Sequence, residues 1–369
     1  MTTVDGPKRK PGAAPTIYDV ARLAGVNPST VSRALNSPGR TNAKTEARVR
    51  AAAQELRYRL NPMARALPTG KTGTVGLILP DITNPMIAGI VRGAQQAAAE
   101  HDVTIVLAES QESSELESTA ADRILRSVDG IVLAASRLDD AQIRQLAEER
   151  PLVLINRDVE GVAAVIGDVE PGIDEAVAHL HLLGHERIVY LSGPDQSWMS
   201  RHRADVIRRV GQRRGVAIDV VGPNVPTLES GEAALPRLIA AGATAVMAYN
   251  DVMAIGLLRA AGAQGLDVPA QLSVIGFDDV FGSDFTSPPL STVRMPLLNL
   301  GDLAVRRLLA MVERTDEPSH AEPPVSSLAI RGSSGRARPA PRGASGSRRH
   351  ASDSNDGRGP NRSAPASPN

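Results

Sequence analysis

Two hydrophobic periodicities divide the chain into a short first part and a long second part. Up to about residue 58, apolar residues recur every three or four positions, as they do in amphipathic helices. From Thr74 onward, short continuous apolar runs alternate with helical stretches of ten to sixteen residues. Such runs are typical of strands buried on both faces of parallel sheets. We therefore expect a small helical head and a large α/β body.

Three predicted helices make up the head. Thr16 is a good N-cap for the first helix, and Asp19, three residues later, is the acidic partner of a capping box. Gly25 ends this helix. A second helix begins at Pro28, and a third covers residues 43–58. Two short helices joined by a glycine turn and followed by a packing helix are typical of a helix-turn-helix module. A plain three-helix bundle is the alternative.

The outer face of the second helix carries small polar side chains. A helix with small side chains on this face fits a major groove about 12 Å wide. Its first turn would approach base edges, while hydroxyl groups and helix N-termini would contact phosphates. The residues expected on this face are Ser29, Thr30, Ser32 and Arg33.

Charge is distributed unevenly along a chain whose formal net charge is zero. Residues 1–71 contain 13 Lys and Arg against 4 acidic residues, a net charge of +9. The last 35 residues, from Gly335, contain 7 Arg and 2 Asp, which leaves −14 for residues 72–334. A basic head on an acidic body indicates a polyanionic partner for the head, although a solvated helical surface would give the same count.

Length and composition exclude several classes of protein. The 369 residues allow two or three domains, and the absence of Cys excludes disulfides and thiolate metal sites. The N-terminal stretch MTTVDGPKRKPGAA lacks the apolar segment of a signal peptide, and no apolar run is long enough to span a bilayer. We expect a cytoplasmic, nucleoid-associated protein with no membrane partner.

The body is predicted to form two doubly wound lobes. Its strands are TVGLIL, VTIVLA, GIVLA, LVLI, AAVIG, RIVYLS, VAIDVV, TAVMAY and LSVIGF. These nine runs divide near Pro171 into two sets of parallel strands. Ligands of such sheets bind beyond the carboxyl ends of the strands, so the expected site is a cleft between the lobes.

Acids, amides and hydroxyls follow most of the predicted strands. They are Asp81, Asn156 to Asp158, Asp168, Ser192, Asn250 with Asp251, and Asp278 with Asp279. Each one could simply be a helix cap or a turn residue. Their recurrence at one edge of the sheets indicates a site for a hydroxyl-rich ligand held by buried hydrogen bonds.

Catalytic and metal-binding patterns are weak. No G-x-S-x-G nucleophile motif is present. His181 and His185 have the four-residue spacing of metal ligands, but no Glu lies between them and Gly184 is expected to end the helix before His185. We therefore predict a ligand-binding body, not an enzyme, with no cofactor and no metal.

The stretch TIYDVARLAGVNPSTVSRALN resembles the head of the lactose-repressor (LacI/GalR) family. The similarity continues through NPMARAL, LILPDITNP and IRGSS, over about 320 residues. The resemblance implies an α/β fold with a three-helix helix-turn-helix head and a two-lobed, doubly wound, periplasmic-binding-protein-like effector domain. It also implies a homodimeric repressor of a pseudo-palindromic operator in double-stranded DNA, controlled by a small effector.

The same resemblance assigns roles in the head. Pro28, Ser29 and Arg33 match base-reading positions, and the forked guanidinium of Arg33 suits a guanine edge. Pro28 has no donor, so it offers a base only apolar contact. The positions that match phosphate contacts are Thr16, Tyr18, Ser32, Asn36, Asn42 and Thr45.

The segment NPMARAL, residues 61–67, matches a linker that folds into a short hinge helix on operator DNA. Asn61 starts this helix, Ala64 matches the small residue that lets it sit deep in the minor groove, and Leu67 matches the side chain inserted between base pairs. The alternative is a flexible linker with Leu67 docked on the body. Leu60 stands where the family more often has proline.

The resemblance also assigns effector contacts in the body. The expected effector-binding residues are Asp81, Met86, Asp168, Trp198, Arg203, Asn250 and Asp278. Met86 stands where sugar- and purine-responsive members often place an aromatic ring. Trp198, the only Trp, is expected on a loop before Arg203, where it either replaces that ring or packs as a lid residue.

The expected domains are a disordered N-terminus (1–14), the head (15–59), the hinge (60–71), an effector-binding and dimerisation domain (72–334) and a disordered basic tail (335–369). The first lobe comprises residues 72–169 plus 295–322, and the second comprises residues 170–294 plus 323–334. Two alternatives remain: a two-lobed solute- or sugar-binding protein, and an architectural DNA-binding protein without an effector. The head argues against the first, and the polar cleft argues against the second.

Overall fold

A computed structural model describes residues 15–36, 39–58, 71–315 and 322–337. In the head, the helices are α1 (Ile17–Ala24), α2 (Pro28–Asn36) and α3 (Ala43–Glu55). The predictions made for residues 1–14, for the hinge up to residue 70 and for the tail from residue 338 lie outside the described residues.

The head helices begin and end where local chemistry places their caps. Asp19 accepts hydrogen bonds from both the backbone N–H and the hydroxyl of Thr16, at 2.9 and 2.8 Å. Gly25 ends α1 in a left-handed conformation, with φ at 63°. The prediction that the third helix reaches Tyr58 is wrong, because Arg57 adopts a positive φ of 49° and breaks the helical run.

One fully buried valine from each helix packs into the core of the head. They are Val20, Val31 and Val49. Leu35, expected to point inward, is half-buried and packs against this cluster. The inward and outward faces predicted from the 3.6-residue period are therefore confirmed for α2.

The body contains eight further helices among the described residues. They are α4 (Pro85–Glu100), α5 (Ser114–Ile124), α6 (Asp140–Glu149), α7 (Glu170–Leu182), α8 (Trp198–Arg214), α9 (Leu228–Ala240), α10 (Asp251–Ala263) and α11 (Leu297–Glu313). None of the helices in the described ranges combines the length and the hydropathy needed to cross a membrane.

Two sheets form the centres of the two lobes. The first lobe contains β1 (Thr74–Leu79), β2 (Thr104–Glu109), β3 (Gly130–Ala134), β4 (Leu152–Ile155) and β5 (Ala163–Val165), in the parallel order β2-β1-β3-β4-β5. The second lobe contains β6 (Arg187–Leu191), β7 (Ala217–Val221), β8 (Ala245–Ala248), β9 (Ser273–Asp278), β10 (Ser291–Arg294) and β11 (Ser327–Ala329), in the order β11-β10-β9-β8-β6-β7. The predicted fold class is confirmed.

The expectation of nine strands, all of them parallel, needs correction. The described residues contain two more strands, β10 and β11, and these two pair antiparallel. The apolar pattern misses β10 because its residues Ser291 and Thr292 are buried through side-chain hydrogen bonds. The Thr292 hydroxyl donates to Asp251 at 2.6 Å, and the Ser291 hydroxyl lies 3.0 Å from that of Ser334.

The helix α11 follows the second lobe in sequence but packs on α4 of the first lobe. The two backbones meet where each helix has a glycine, Gly93 in α4 and Gly301 in α11. A Cβ atom at Gly93 would overlap the carbonyl oxygen of Leu298, and one at Gly301 would overlap that of Ile90. The crossing therefore requires glycine on both sides.

The disordered tail is expected to begin at Gly335, but residues 335–337 make contacts with the second lobe. The Ala337 N–H donates to the Leu183 carbonyl at 2.8 Å, and a ring nitrogen of His185 lies 3.0 Å from the Gly335 carbonyl oxygen. These backbone contacts hold residues 335–337 to the second lobe, although their side chains offer no apolar pattern.

Candidate functional sites

The outward face of α2 is the first candidate site. Ser29 and Arg33 are exposed four residues apart, so they lie on the same face of the helix. Thr30 and Ser32 are half-exposed beside them, and Pro28 occupies the first helical position. A small, polar face ending in a guanidinium can approach base edges without steric conflict.

Polar groups near the N-termini of α1 and α3 are further candidates for contacts with DNA. Thr16, Tyr18 and Asn42 are exposed, and Asn42 caps α3 by accepting a hydrogen bond from the Lys44 N–H at 2.9 Å. Thr45 is half-buried in the first turn of α3. The side chain of Asn36, and the hinge residues Asn61, Ala64 and Leu67, lie outside the described residues. Hydroxyls, amides and helix N-termini of this kind suit phosphate oxygens.

A buried ion pair lies at the carboxyl ends of the strands in the second lobe. Arg203, on α8, donates from Nη2 to Asp278 Oδ1 at 2.8 Å, and both side chains are less than 5% exposed. Its Nη1 donates to the backbone carbonyl of Tyr249 at 2.5 Å. The guanidinium carbon lies 3.6 Å from the ring centroid of Phe277, within the range of a cation–π contact.

The two charges stabilise each other against burial. Burial raises the pKa of Asp278, and Arg203 opposes that rise. Burial alone would lower the pKa of Arg203, but the charge of Asp278 keeps it above its usual value. Asp278 also has a positive φ of 103°, a conformation that is strained for a residue with a side chain.

Asn250 combines a structural role with an unpaired donor. Its Oδ1 accepts a hydrogen bond from the Met253 N–H at 3.0 Å and caps α10, so the capping interpretation is correct for this oxygen. Its Nδ2 is buried without a hydrogen-bond partner, as are the Tyr190 hydroxyl and Nε of Arg203. Leaving a buried donor unpaired costs about 1–3 kcal/mol.

These three unpaired groups lie at adjacent strands. Tyr190 is near the end of β6, Asn250 follows β8, and Arg203 is paired with the last residue of β9. The three strands are neighbours in the order β9-β8-β6. Burial raises the pKa of Tyr190, so its hydroxyl is protonated and can donate at neutral pH. The arrangement can bind a ligand that carries hydrogen-bond acceptors.

The sequence places both Asn250 and Asp251 at the polar edge, but the family resemblance assigns an effector contact to Asn250 alone. Asp251 is fully buried, accepts a hydrogen bond from the Val280 N–H at 2.8 Å, and is bonded to the Thr292 hydroxyl at 2.6 Å. Burial, and then the negative charge of Asp278, raise its pKa to about 8. Two consecutive polar residues after a strand were the available signal for Asp251, and a hydroxyl inside an apolar run was the signal for Tyr190.

Trp198 begins the helix α8, so its expected position on a loop is wrong. The helix starts there because the Ser197 hydroxyl accepts a hydrogen bond from the Ser200 N–H at 3.2 Å. The indole is half-buried and stacks on His202, with ring centroids 4.7 Å apart and an interplanar angle of 12°. Trp198 and Arg203 are therefore fixed on one rigid element.

The remaining expected effector contacts lie in the first lobe and at the crossover between lobes. Asp81 accepts hydrogen bonds from the N–H and the hydroxyl of Thr83, at 2.8 and 2.6 Å, as a turn residue does. Met86 is half-buried and packs against the core. Asp168 is exposed, and its backbone N–H donates to the Pro324 carbonyl at 2.8 Å, which joins two crossover segments.

Of the two histidines with metal-ligand spacing, His185 has hydrogen-bond partners and His181 is exposed. As expected, α7 ends at Leu182, before His185. The two ring nitrogens of His185 lie 3.0 and 3.1 Å from the hydroxyls of Thr244 and Ser273. Over the ranges that the structure covers, no three His, Asp or Glu residues are grouped so as to hold a metal ion.

Both the head and the body of the chain match known protein families. Residues 16–61 match the profile described as bacterial regulatory proteins, lacI family, and residues 177–334 match a periplasmic binding protein-like domain. The HTH-type transcriptional repressor CytR of Escherichia coli (strain K12) is 34% identical over 334 residues, which cover 88% of this chain and 98% of CytR.

Solved structures give the same result. The crystal structure of the lac repressor dimer bound to operator and the anti-inducer ONPF has a TM-score of 0.79 and 28% identity, covering 88% of this chain and all of that one. The complex of the transcriptional regulator CelR with cellobiose has a TM-score of 0.63 and 29% identity, covering 86% of this chain and 99% of that one. The chain therefore belongs to the LacI family of bacterial transcriptional regulators, and its helix-turn-helix head is a DNA-binding domain.

Proposed function

We propose that the protein is a homodimeric repressor whose affinity for a pseudo-palindromic operator is controlled by a small, sugar-like effector bound between the lobes. The single observation that carries the effector site is the presence of three buried, unpaired groups, on Tyr190, Arg203 and Asn250, at the neighbouring strands β6, β8 and β9 that also hold the ion pair to Asp278. A ligand with several acceptor oxygens would satisfy them and recover the free energy that each unpaired group costs.

A sugar is the favoured class of effector for two reasons. Sugar hydroxyls both donate and accept, so they can also pair with the Asp278 carboxylate. The CelR structure, which resembles this chain over most of its length, holds cellobiose. Asp81, Met86, Asp168 and Trp198 complete the proposed site around the central residues.

Two exposed aromatic side chains support the proposed dimer. Phe281 and Phe285 are 86% and 71% exposed, and their rings contact edge to face with centroids 5.1 Å apart. Exposed aromatic pairs of this kind are enriched in protein–protein interfaces.

In the proposed dimer, two heads would read two half-sites with Pro28, Ser29 and Arg33. The phosphate contacts would come from Thr16, Tyr18, Ser32, Asn36, Asn42 and Thr45, and Thr30 would face the DNA beside Ser29.

The effector is tested by a thermal-shift panel on the full-length chain, with D-ribose, D-galactose, cellobiose and cytidine as probes. A compound present at about 100 times its Kd should raise Tm by about 5–10 °C, because binding only the folded state stabilises it by about 2.7 kcal/mol. The same compound should change the affinity for an operator selected from a random DNA library.

Two matched variants distinguish the role of the unpaired Asn250 amide donor from its role as a helix cap. In Asn250→Ser, the hydroxyl can still cap α10, but the amide donor is lost, so the ligand-induced shift should shrink. Asn42→Ser makes the same exchange at the cap of α3 and should leave the shift unchanged. No shift with any probe, or an equal shift in Asn250→Ser, would contradict the proposed effector site.

The proposed hinge makes a separate prediction for Leu67→Ala. Without the apolar wedge, operator affinity should fall tenfold or more, about 1.4 kcal/mol, and the DNA should bend less. Circular-permutation gel shifts measure the bend, and Leu60→Ala is the matched control. Unaltered bending in Leu67→Ala would show that Leu67 is an ordinary linker residue.

A further inference from the structure

The stacked pair of Trp198 and His202 is a second feature of the proposed effector site. The residues are four apart on α8, so the rings lie on one face of the helix. Arg203 follows His202 directly and carries the buried guanidinium of the site. Any displacement of the first turn of α8 therefore affects both the aromatic pair and the ion pair.

One hydrogen bond and one electrostatic interaction locate this pair at the edge of the second lobe where the proposed ligand would bind. The Ser197 hydroxyl, next to Trp198, lies 3.3 Å from the Tyr249 hydroxyl, and Tyr249 directly follows β8. The charge of Asp168, at the crossover between the lobes, acts on the ring of His202. The aromatic pair therefore lies between the end of β8 and the crossover.

We propose that His202 is a positioning residue of the effector site. In its neutral form it stacks on Trp198 and holds the indole as an aromatic wall of the cleft, and when protonated it releases that wall. The proposal rests on the proposed function, because the indole acts as a wall only if a sugar-like effector binds beside it. A flat indole suits the apolar face of a sugar ring. This wall would replace the aromatic ring that other members place where this chain has Met86.

Electrostatics favour the neutral form of the stacked ring. Burial lowers the pKa of His202, and so do the positive charges of Arg209 and Arg203. Asp205 and Asp168 act in the opposite direction and are outweighed. An imidazolium would gain attraction to the indole face, but it would be half-buried close to two guanidinium groups.

The direction of the pH effect follows from this lowered pKa. The free ring takes up a proton near its ordinary pKa of 6.5, whereas the stacked ring resists protonation. The stack is therefore fully stable above pH 6.5 and weakens progressively as the pH falls below that value. A wall of this kind would make effector binding weaker in acid.

The wall can be tested without any effector, because Trp198 is the only Trp in the chain. Its fluorescence is quenched by acrylamide in proportion to its exposure. In His202→Ala the quenching constant should rise, by roughly twofold, at pH 8, because the indole loses the ring that is stacked on one of its two faces. His202→Phe should keep the low value, and His179→Ala, the matched control on α7, should behave as the wild type.

The pH dependence is tested by the same acrylamide quenching of Trp198 fluorescence, measured between pH 8 and pH 5. Quenching should rise in the wild-type chain and in His179→Ala as the pH falls, and it should stay constant in His202→Phe. His202→Gln, which has a planar side chain that does not titrate, replaces His202→Phe if the latter fails to fold by circular dichroism. Two results would overturn the proposal. One is an equal quenching constant in His202→Ala and in the wild type at pH 8, and the other is a rise in quenching at low pH in His202→Phe that matches the rise in the wild type. Failure of the sugar panel would instead count against the proposed function.

Discussion

Replacing Arg203 with methionine is expected to lower the free energy of unfolding by about 3–5 kcal/mol, because it leaves the carboxylate of Asp278 buried without its partner. Methionine retains the length and the apolar contacts over Phe277, so the effect isolates the charge. Urea denaturation of the full-length chain measures the change. The variant should also lose effector binding in the thermal-shift panel.

The control lies on the same helix. Arg208 pairs with Asp205 at 3.2 Å, but both side chains are more than half exposed, so Arg208→Met should change stability by less than about 1 kcal/mol. Equal effects of the two substitutions would show that the buried pair contributes no more than a surface pair.

The pH dependence of Arg203→Met provides a second check. Burial already raises the pKa of Asp278, and loss of Arg203 should raise it further. A carboxyl group whose pKa is raised by folding stabilises the folded state at low pH and loses that contribution as the pH rises. The destabilisation should therefore be larger at pH 8 than at pH 5. A difference that is independent of pH would mean that Asp278 is not the group left unpaired.

Operator affinity is expected to fall by about 10³–10⁵ between 50 and 200 mM salt if each dimer contacts about 6–10 phosphates. The physical reason is the release of counterions when the basic heads bind the DNA backbone. Fluorescence anisotropy of a labelled operator, measured at several salt concentrations, gives the slope. A flat response would contradict DNA binding through the basic face of the head.

Two basic residues on α3 refine this measurement. Lys44 is exposed beside the cap of α3, so Lys44→Gln should reduce the salt slope by about 1 per protomer. Arg50 is paired with Glu46 at 2.7 Å on the same helix, so Arg50→Gln should change the slope less. The reverse order of effects would place the DNA on a different face of the head.

Periodicity in the sequence was enough to predict most of the fold. The apolar stripe of each head helix, and the continuous apolar runs of the body, arise from burial, and burial leaves a pattern in the sequence. The strand β10 left no such pattern, because hydrogen bonds to Asp251 and Ser334 take the place of apolar packing. The segment 335–337 is likewise held by backbone contacts, which no side-chain pattern records.

The candidate site was predictable only in part. Acids and amides after successive strands indicated a polar edge, and the resemblance singled out Arg203, Asn250 and Asp278. Spacing could not show that Arg203 reaches Asp278, because 75 residues separate them in the chain. Nor could it show that Tyr190 lacks a partner, since satisfaction of a hydroxyl depends on groups from other strands.

The glycine crossing of α4 with α11 has a consequence for how the protein is made. The face of α4 that receives α11 is complete near residue 100, but its partner leaves the ribosome only after about 200 further residues, roughly 10–40 s later at usual rates of synthesis. During that interval the face of α4 around Gly93 is uncovered, while the strands β2 to β10 are being translated. Truncation before residue 297 would therefore leave this face of α4 permanently without its partner helix.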